Sequence, residues 1–329
     1  MPTPIELGFS ISSEEHPPAE CVRQAVKAED TGFSFVGISD HFHPWLRSQG
    51  HSPFVWGVLG AIAQATERIR VGTGVTCPSV RIHPAIVAQA AATTGCLMPR
   101  RFFLGVGSGE ALNEHILGDR WPPAPIRLEM LEEAVGVIRQ LWEGGSQDHR
   151  GRYYTVEDAT IFDLPDPLPD IVVAGSGPRS AALAGRVGDG FWGTAPKPDA
   201  LEEFEQGGGK GKPRYGQATV CWSEDEQQAR KTAREIWPIV GVPGQLSQDL
   251  PTPKHFEEAS ELVTADDVAE KVVCGPDVNR HIELVEQYAL AGYTHVYLHQ
   301  VGPDQDGFFG YWEAELRPAL QRRGLVAAA

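Results

Sequence analysis

Scarcities narrow this chain first. Cysteine is sparse and unpatterned: Cys21, Cys77, Cys96, Cys221 and Cys274 are an odd five, widely scattered, with no C-x-x-C pair. That excludes a disulfide framework and a zinc ribbon, and fits reduced thiols in a cytoplasm. Positive charge is also short, 28 Lys and Arg against 44 Asp and Glu, for a formal charge of −16. Nucleic-acid and anionic-membrane surfaces need clustered cations, so neither partner class fits. No apolar run is long enough to span a bilayer. Met1 to Glu6 enters strand-like sequence at once, with no secretory signal. The expectation is a soluble cytoplasmic protein that acts on a small molecule.

What is present is a regular alternation. The 329 residues are 41 % apolar, enough for a large core. Short apolar runs alternate with stretches of helical period, the pattern of βα units and a parallel sheet. Strands are expected at 5–11, 34–39, 69–77, 101–106, 170–174, 190–194, 216–222 and 295–299. Helices are expected at 18–30, 54–66, 84–96 and 127–141, the first with Pro17 and Pro18 at its start and Val22, Ala25 and Val26 on one face. Eight strands with helices between them favour a (β/α)8 TIM barrel over an open doubly wound sheet. Residues 1–329 read as one barrel domain, with insertion segments near 144–168 and 206–262. Of these, 144–168 looks like an excursion over the barrel mouth, 206–213 a mobile loop and 240–256 a proline-rich insertion.

Two strand tips carry chemistry. Asp40, His41, Phe42, His43, Pro44 and Trp45 close the second strand, and Gly105 to Asn113 closes the fourth. In a parallel barrel those C-terminal ends are where catalytic residues stand. Gly105 to Glu110 fails the dinucleotide fingerprint, because Glu110 occupies the sixth position. Its glycines still let backbone amides approach a flat ligand, with Glu110 and Asn113 one helical turn apart. The plainer alternative is a helix N-terminus capped by Ser108. His41 and His43 could read as metal ligands, with His299 and Asp304 as remote partners, but no second compact cluster accompanies them. An imidazole beside a carboxylate is more simply a proton-transfer group. Trp45 either packs the mouth or offers a flat surface to a sugar or ring cofactor. Gly72 and Gly74 interrupt the third strand, the mark of a bulge or a close backbone approach. Ala174 to Arg179 is either an anion site at a helix start or an ordinary tight βα turn. Gly207 to Lys212 is no P-loop, since Gln206 and Pro213 break both ends of that motif.

Taken together, the segments 39–45, 72–78, 89–96 and 105–113 resemble the luciferase-like flavin and deazaflavin enzymes. Within that family they are most similar to the branch that uses coenzyme F420, in particular its glucose-6-phosphate dehydrogenases. The resemblance runs through nearly the whole chain and is weakest over 202–261. It implies a homodimeric (β/α)8 barrel with the deazaflavin ring in the mouth and a nonprolyl cis peptide at Gly74–Val75 behind that ring. It also implies cofactor contacts from Asp40, Gly74, Val75, Ser108, Gly109 and Asn113, with Cys77 standing where the family has threonine. Ser176, Gly177, Arg179 and Ser180 fall near the phosphate tail. The implied chemistry is hydride transfer from a sugar-6-phosphate, or a related secondary alcohol, to the deazaflavin. His41, held by Asp40, would take the hydroxyl proton. Glu110 would supply a proton to the ring, Trp45 would polarise or pack the centre, and Glu14 could share the base role. Thr194 and Lys197 match the substrate pocket, Lys271 falls where the family has arginine, and a further family lysine maps near Ser247. Lys for Arg keeps the charge and loses the bidentate fork. Two alternatives stay open: an FMN-dependent monooxygenase of the same fold, and a non-catalytic flavin-binding barrel.

Overall fold

The computed structural model describes residues 4–327; Met1 to Thr3, which open the segment read as lacking a secretory signal, lie outside the described residues. Eight parallel strands close on one another: β1 (Glu6–Ile11), β2 (Phe35–Ile38), β3 (Arg70–Thr73), β4 (Phe102–Val106), β5 (Ile171–Ala174), β6 (Gly190–Gly193), β7 (Arg214–Cys221) and β8 (His295–Gln300). Glu6 pairs with His295 on one side of β1 and Gly8 with Phe35 on the other, while Phe191 opposite Arg214 closes the ring. The expected barrel is the observed one.

The interior explains the glycines. Phe35, Phe103, Val172, Trp192, Tyr215 and Tyr297 fill the barrel as one apolar plug, with Val75 and Ala174 packed on its upper side. Such rings fit only where facing strands carry no side chain. A Cβ on Gly72 would stand 2.1 Å from the Phe103 ring. The third strand stops at Thr73, short of the expected 77, and the Gly74–Val75 peptide that follows is cis, as the resemblance implied. The chain then rejoins β4 through the Thr76–Val106 bridge.

Helices α1 (Pro18–Asp30), α2 (Val55–Ala65), α3 (Pro84–Leu97), α4 (Ala124–Leu141), α5 (Pro178–Val187), α6 (Pro198–Phe204), α7 (Glu226–Ile236) and α8 (Val278–Ala291) lie between the strands in sequence. On α1 the buried face is Cys21, Gln24, Ala25 and Ala28, with Val22 and Val26 half-buried at its edge. The expected face is thus rotated, because small residues let the helix lie close to the strands.

The three irregular stretches resolve differently. Residues 144–168 do not cross the mouth. They form a hairpin of Gln147–Arg150 with Thr155–Ala159, whose tip packs on α4: Glu133 accepts backbone N–H bonds from Arg152, Tyr153 and Tyr154. Residues 206–213 are a packed turn rather than a free loop. Lys212 Nζ donates to the carbonyls of Gly185 and Gly188, each at 2.8 Å, satisfying acceptors at the end of α5. The insertion at 240–256 is what covers the mouth. Its Phe256 joins Leu46, Leu112, Trp45, Ile239 and Leu250 in a small apolar cluster above the tips of β2 and β4. No described helix is long and apolar enough to cross a membrane.

Candidate active site

Three strand tips bring four proton-handling or aromatic groups together. The loop after β1 presents Glu14, the loop after β2 presents His41 and Trp45, and the loop after β4 presents Glu110. His41 Nδ1 lies 3.3 Å from Glu14 Oε1 and 3.3 Å from the carbonyl of His43. Both neighbours are acceptors, so a hydrogen on Nδ1 is met there. Nε2 in turn stands 3.6 Å from Glu110 Oε2. The Trp45 ring lies 4.9 Å from the imidazole, and Phe256 meets the indole at 5.0 Å in an edge contact. The insertion thus holds Trp45, and Trp45 bounds His41.

The two carboxylates sit in opposite electrostatic settings. Burial alone would raise Glu14, but the neighbouring His41 and the Ser39 hydroxyl, which donates to it at 2.5 Å, outweigh that and hold it below the usual carboxylate range. Desolvation wins at Glu110. Its side chain keeps 31 % accessibility, and the nearby Glu14 charge also opposes its ionisation. Its pKa is raised in spite of His41, Asn113 and Arg127. Carboxyls pushed apart in this way mark an anion and an acid.

Asp40 does not hold His41. Its carboxylate is buried and accepts from Thr76 Oγ1 at 2.7 Å and from Arg81 Nη2 at 2.9 Å. Arg81 also pairs with the buried Glu114, through its side chain at 3.5 Å and its backbone N–H at 2.7 Å. The group behind the imidazole is Glu14. Asn113 is buried and fastens the His41 loop to the Glu110 loop. Its Oδ1 accepts the backbone N–H groups of Phe42 and His43 at 2.9 and 3.2 Å, and its Nδ2 donates to Glu110 at 3.2 Å.

The floor of the recess suits a flat ring. Gly74, Val75, Ser108, Gly109 and Ala174 are partly open there, above the aromatic plug. Gly109 has φ +76°, and a Cβ on it would stand 2.5 Å from Cys77 Sγ. Burial raises the Cys77 thiol well above its ordinary range, so it stays neutral beside Ser79 Oγ at 2.9 Å. The remaining expected contacts form a second group at the tips of β5 and β6. Ser180 Oγ accepts the N–H groups of Ser176 and Gly177, each at 3.1 Å, and Lys197 Nζ donates to the Ser176 carbonyl at 3.2 Å. Arg179 and Thr194 are exposed in the same loops. Lys271 is engaged within the insertion, where Nζ donates to the Val240 carbonyl at 2.8 Å. Ser247 bonds the Gly244 carbonyl at 3.1 Å.

Three residues that local patterns did not reveal belong to this neighbourhood: Arg81, Phe256 and Arg127. None of them lies within a strand-tip motif, so spacing carries no signal for it.

The model of the luciferase-like monooxygenase family matches residues 2–295. An F420-dependent glucose-6-phosphate dehydrogenase of Microbacterium testaceum is 35 % identical, over 98 % of this chain and 99 % of the relative. The enzyme of that name from Mycobacterium tuberculosis is 35 % identical, over 97 % and 99 %. Among solved structures, an F420-dependent secondary alcohol dehydrogenase in complex with an F420-acetone adduct superposes with TM-score 0.90 at 32 % identity, covering 97 % of this chain and 99 % of that one. With the family model matching most of the chain and relatives 35 % identical over nearly its full length, the chain belongs to the luciferase-like monooxygenase family.

Proposed function

We propose that this protein is an F420-dependent dehydrogenase that oxidises a secondary carbinol, of the sugar-6-phosphate type or a related secondary alcohol. The observation that carries the reading is the His41 imidazole set between an ionised Glu14 at 3.3 Å and a protonation-prone Glu110 at 3.6 Å. A bound deazaflavin would supply the two-electron acceptor, taking the carbinol hydrogen as hydride at carbon 5. The residues do the rest. His41 Nε2 accepts the hydroxyl proton as the C–O bond gains double-bond character, and Glu14 offsets the charge that then appears on the imidazole. Glu110 offers a proton to negative charge that grows beside it in the recess. Trp45 and Phe256 exclude water above His41. Val75, Ser108 and Gly109 would hold the ring, with Asp40 buried behind them on Thr76 and Arg81, and the loop from Ser176 to Ser180 would hold its phosphate. Thr194, Lys197 and Lys271 would meet an anionic substituent of the substrate.

The test is a titration of F420 into the purified protein, followed by loss of its visible absorbance with glucose 6-phosphate and with 2-propanol. Binding and bleaching with either substrate is the expected result. Tight binding of FMN with indifference to the deazaflavin would overturn the assignment in favour of the monooxygenase reading. Binding without turnover of any alcohol would leave a carrier.

The homodimer belongs to the same proposal. The groove formed by Pro18, Ala19 and Val22 of α1 with Phe54, Gly57 and Ala61 at α2 is apolar, and Phe54 is 62 % exposed. A contiguous apolar face of that kind favours a protein contact. Sedimentation velocity should give twice the monomer mass, and Phe54→Asp should return the monomer.

A further inference from the structure

Above the aromatic plug the barrel mouth has two unlike sides. Past β3 and at the top of β5 the groups against the plug are Gly74, Val75 and Ala174, none with a polar side chain. On β7, β8 and β1 the same level is polar. Tyr215 and Tyr297 belong to the plug, and inward positions recur at every second residue, so Gln217 and Thr219 on β7 and His299 on β8 stand above them. The register agrees, with Tyr297 opposite Gln217 and His299 opposite Thr219. Ser10 joins them from β1, two positions after Gly8, where a Cβ would strike the Phe35 ring. The plug beneath is buried, yet Ser10, Gln217 and Thr219 are only half-buried, so their open surface faces the recess.

The bonds within this wall fix what it offers. Gln217 Nε2 donates to Thr219 Oγ1 and to His299 Nδ1, each at 3.2 Å. An amide nitrogen only donates, so Nδ1 is the acceptor and the imidazole hydrogen sits on Nε2. Nε2 faces Glu15 Oε1 at 3.5 Å, in a pair whose side chains are 2 % and 5 % exposed. Glu15 is anchored in turn through Oε2, which accepts the Gly302 N–H at 2.9 Å, and Trp237 meets the imidazole edge-on at 4.5 Å. Both amide hydrogens of Gln217 are thus engaged, and its Oε1 has no bond among the described residues. The Thr219 oxygen already accepts, and its own hydrogen remains to be given. Toward the recess the pair presents one acceptor and one donor, and no charge.

We propose that Gln217 and Thr219 select the substrate by receiving a hydroxyl group other than the one oxidised. The proposal rests on the dehydrogenase reading above and narrows its substrate class to polyhydroxylated secondary alcohols, a sugar or its phosphate, over plain alkanols. A hydroxyl both donates and accepts, which matches the pair. An alkyl group in its place would leave an acceptor and a donor dry and unpaired. The placement suits such a molecule. Glu14 follows β1 and β6 pairs with β7, so the wall lies between the His41–Glu14 end of the recess and the loop that carries Thr194 and Lys197. His299 and Glu15 are positioning residues: they hold the amide so that its oxygen points into the recess.

The test compares kcat/KM for glucose 6-phosphate and 2-propanol in the F420-loaded enzyme. Wild type should favour the sugar phosphate by about 10²-fold or more. Gln217→Leu and Thr219→Val, each close to the original in volume, should cut that ratio about tenfold apiece. His299→Leu should cut it less and mainly through KM; a fall in kcat for both substrates would strip His299 of its positioning role. A wild-type preference for 2-propanol overturns the proposal, as do Gln217 and Thr219 variants that lose both substrates equally. A weakened hold on F420 at an unchanged ratio would give the pair to the cofactor and overturn it too. If no alcohol bleaches F420, the dehydrogenase reading falls, and saturation-transfer NMR of glucose 6-phosphate on the protein decides the wall by itself. A signal that Gln217→Leu weakens supports the hydroxyl site, and equal signals from the two proteins sink it.

Discussion

Replacing His41 with Asn should lower kcat by about 10²–10⁴-fold, the range general-base catalysis supplies, while KM for the alcohol stays within a few-fold. Asparagine is the informative substitution. Its amide still offers a donor to Glu14 Oε1 and to the His43 carbonyl, the two acceptors that face Nδ1 at 3.3 Å. It offers nothing basic on the side of Glu110. The loop stays in place because its anchors are elsewhere: Asn113 holds the N–H groups of Phe42 and His43, and Ser52 donates to the His41 carbonyl at 2.7 Å. A variant that binds F420 normally but bleaches it slowly is the expected result, measured by single-turnover absorbance. A kcat within threefold of wild type would assign the hydroxyl proton to another group, and Glu14 is the nearest candidate.

The pairing of His41 with Glu14 is geometry no motif encodes. The barrel itself was legible, since eight apolar runs with helical stretches between them leave few other arrangements, and all eight expected strands appear within a few residues of their observed bounds. The hairpin at 147–159 was not. Its first strand alternates between exposed and half-exposed residues and its second buries only Val156, so they carry no apolar period, and their support comes from Glu133 on another element. The site was legible as a list and less so as a set of pairings. Glu14, His41, Trp45 and Glu110 stand at strand tips, where barrel topology alone brings them together. Asp40 next to His41 invites the reading of a carboxylate–imidazole pair. Adjacent residues on an extended segment point opposite ways, however, and Asp40 turns to Arg81 and Thr76. The partner that backs the imidazole came instead from a neighbouring strand.

The same separation of roles sets the second large effect. Glu110→Gln should lower kcat about 10²–10⁴-fold, as removal of a positioned acid does, and should abolish the alkaline limb of the rate profile. Glutamine preserves the hydrogen bond with Asn113 and the volume of the recess, so the loss reports the proton alone. Stability should move the other way. The folded protein holds the Glu110 pKa above its unfolded value through desolvation and the Glu14 charge. Its contribution to stability is therefore complete below the unfolded pKa and is lost as pH rises through the folded one. The amide has no such loss, so Glu110→Gln should melt at or above the wild-type temperature, with the gap widening from acid toward neutral pH. A variant both slower and less stable at neutral pH would mean that the carboxylate props up the fold instead of working in the recess. An inactive, more stable variant is the signature of a group kept for chemistry at the expense of folding.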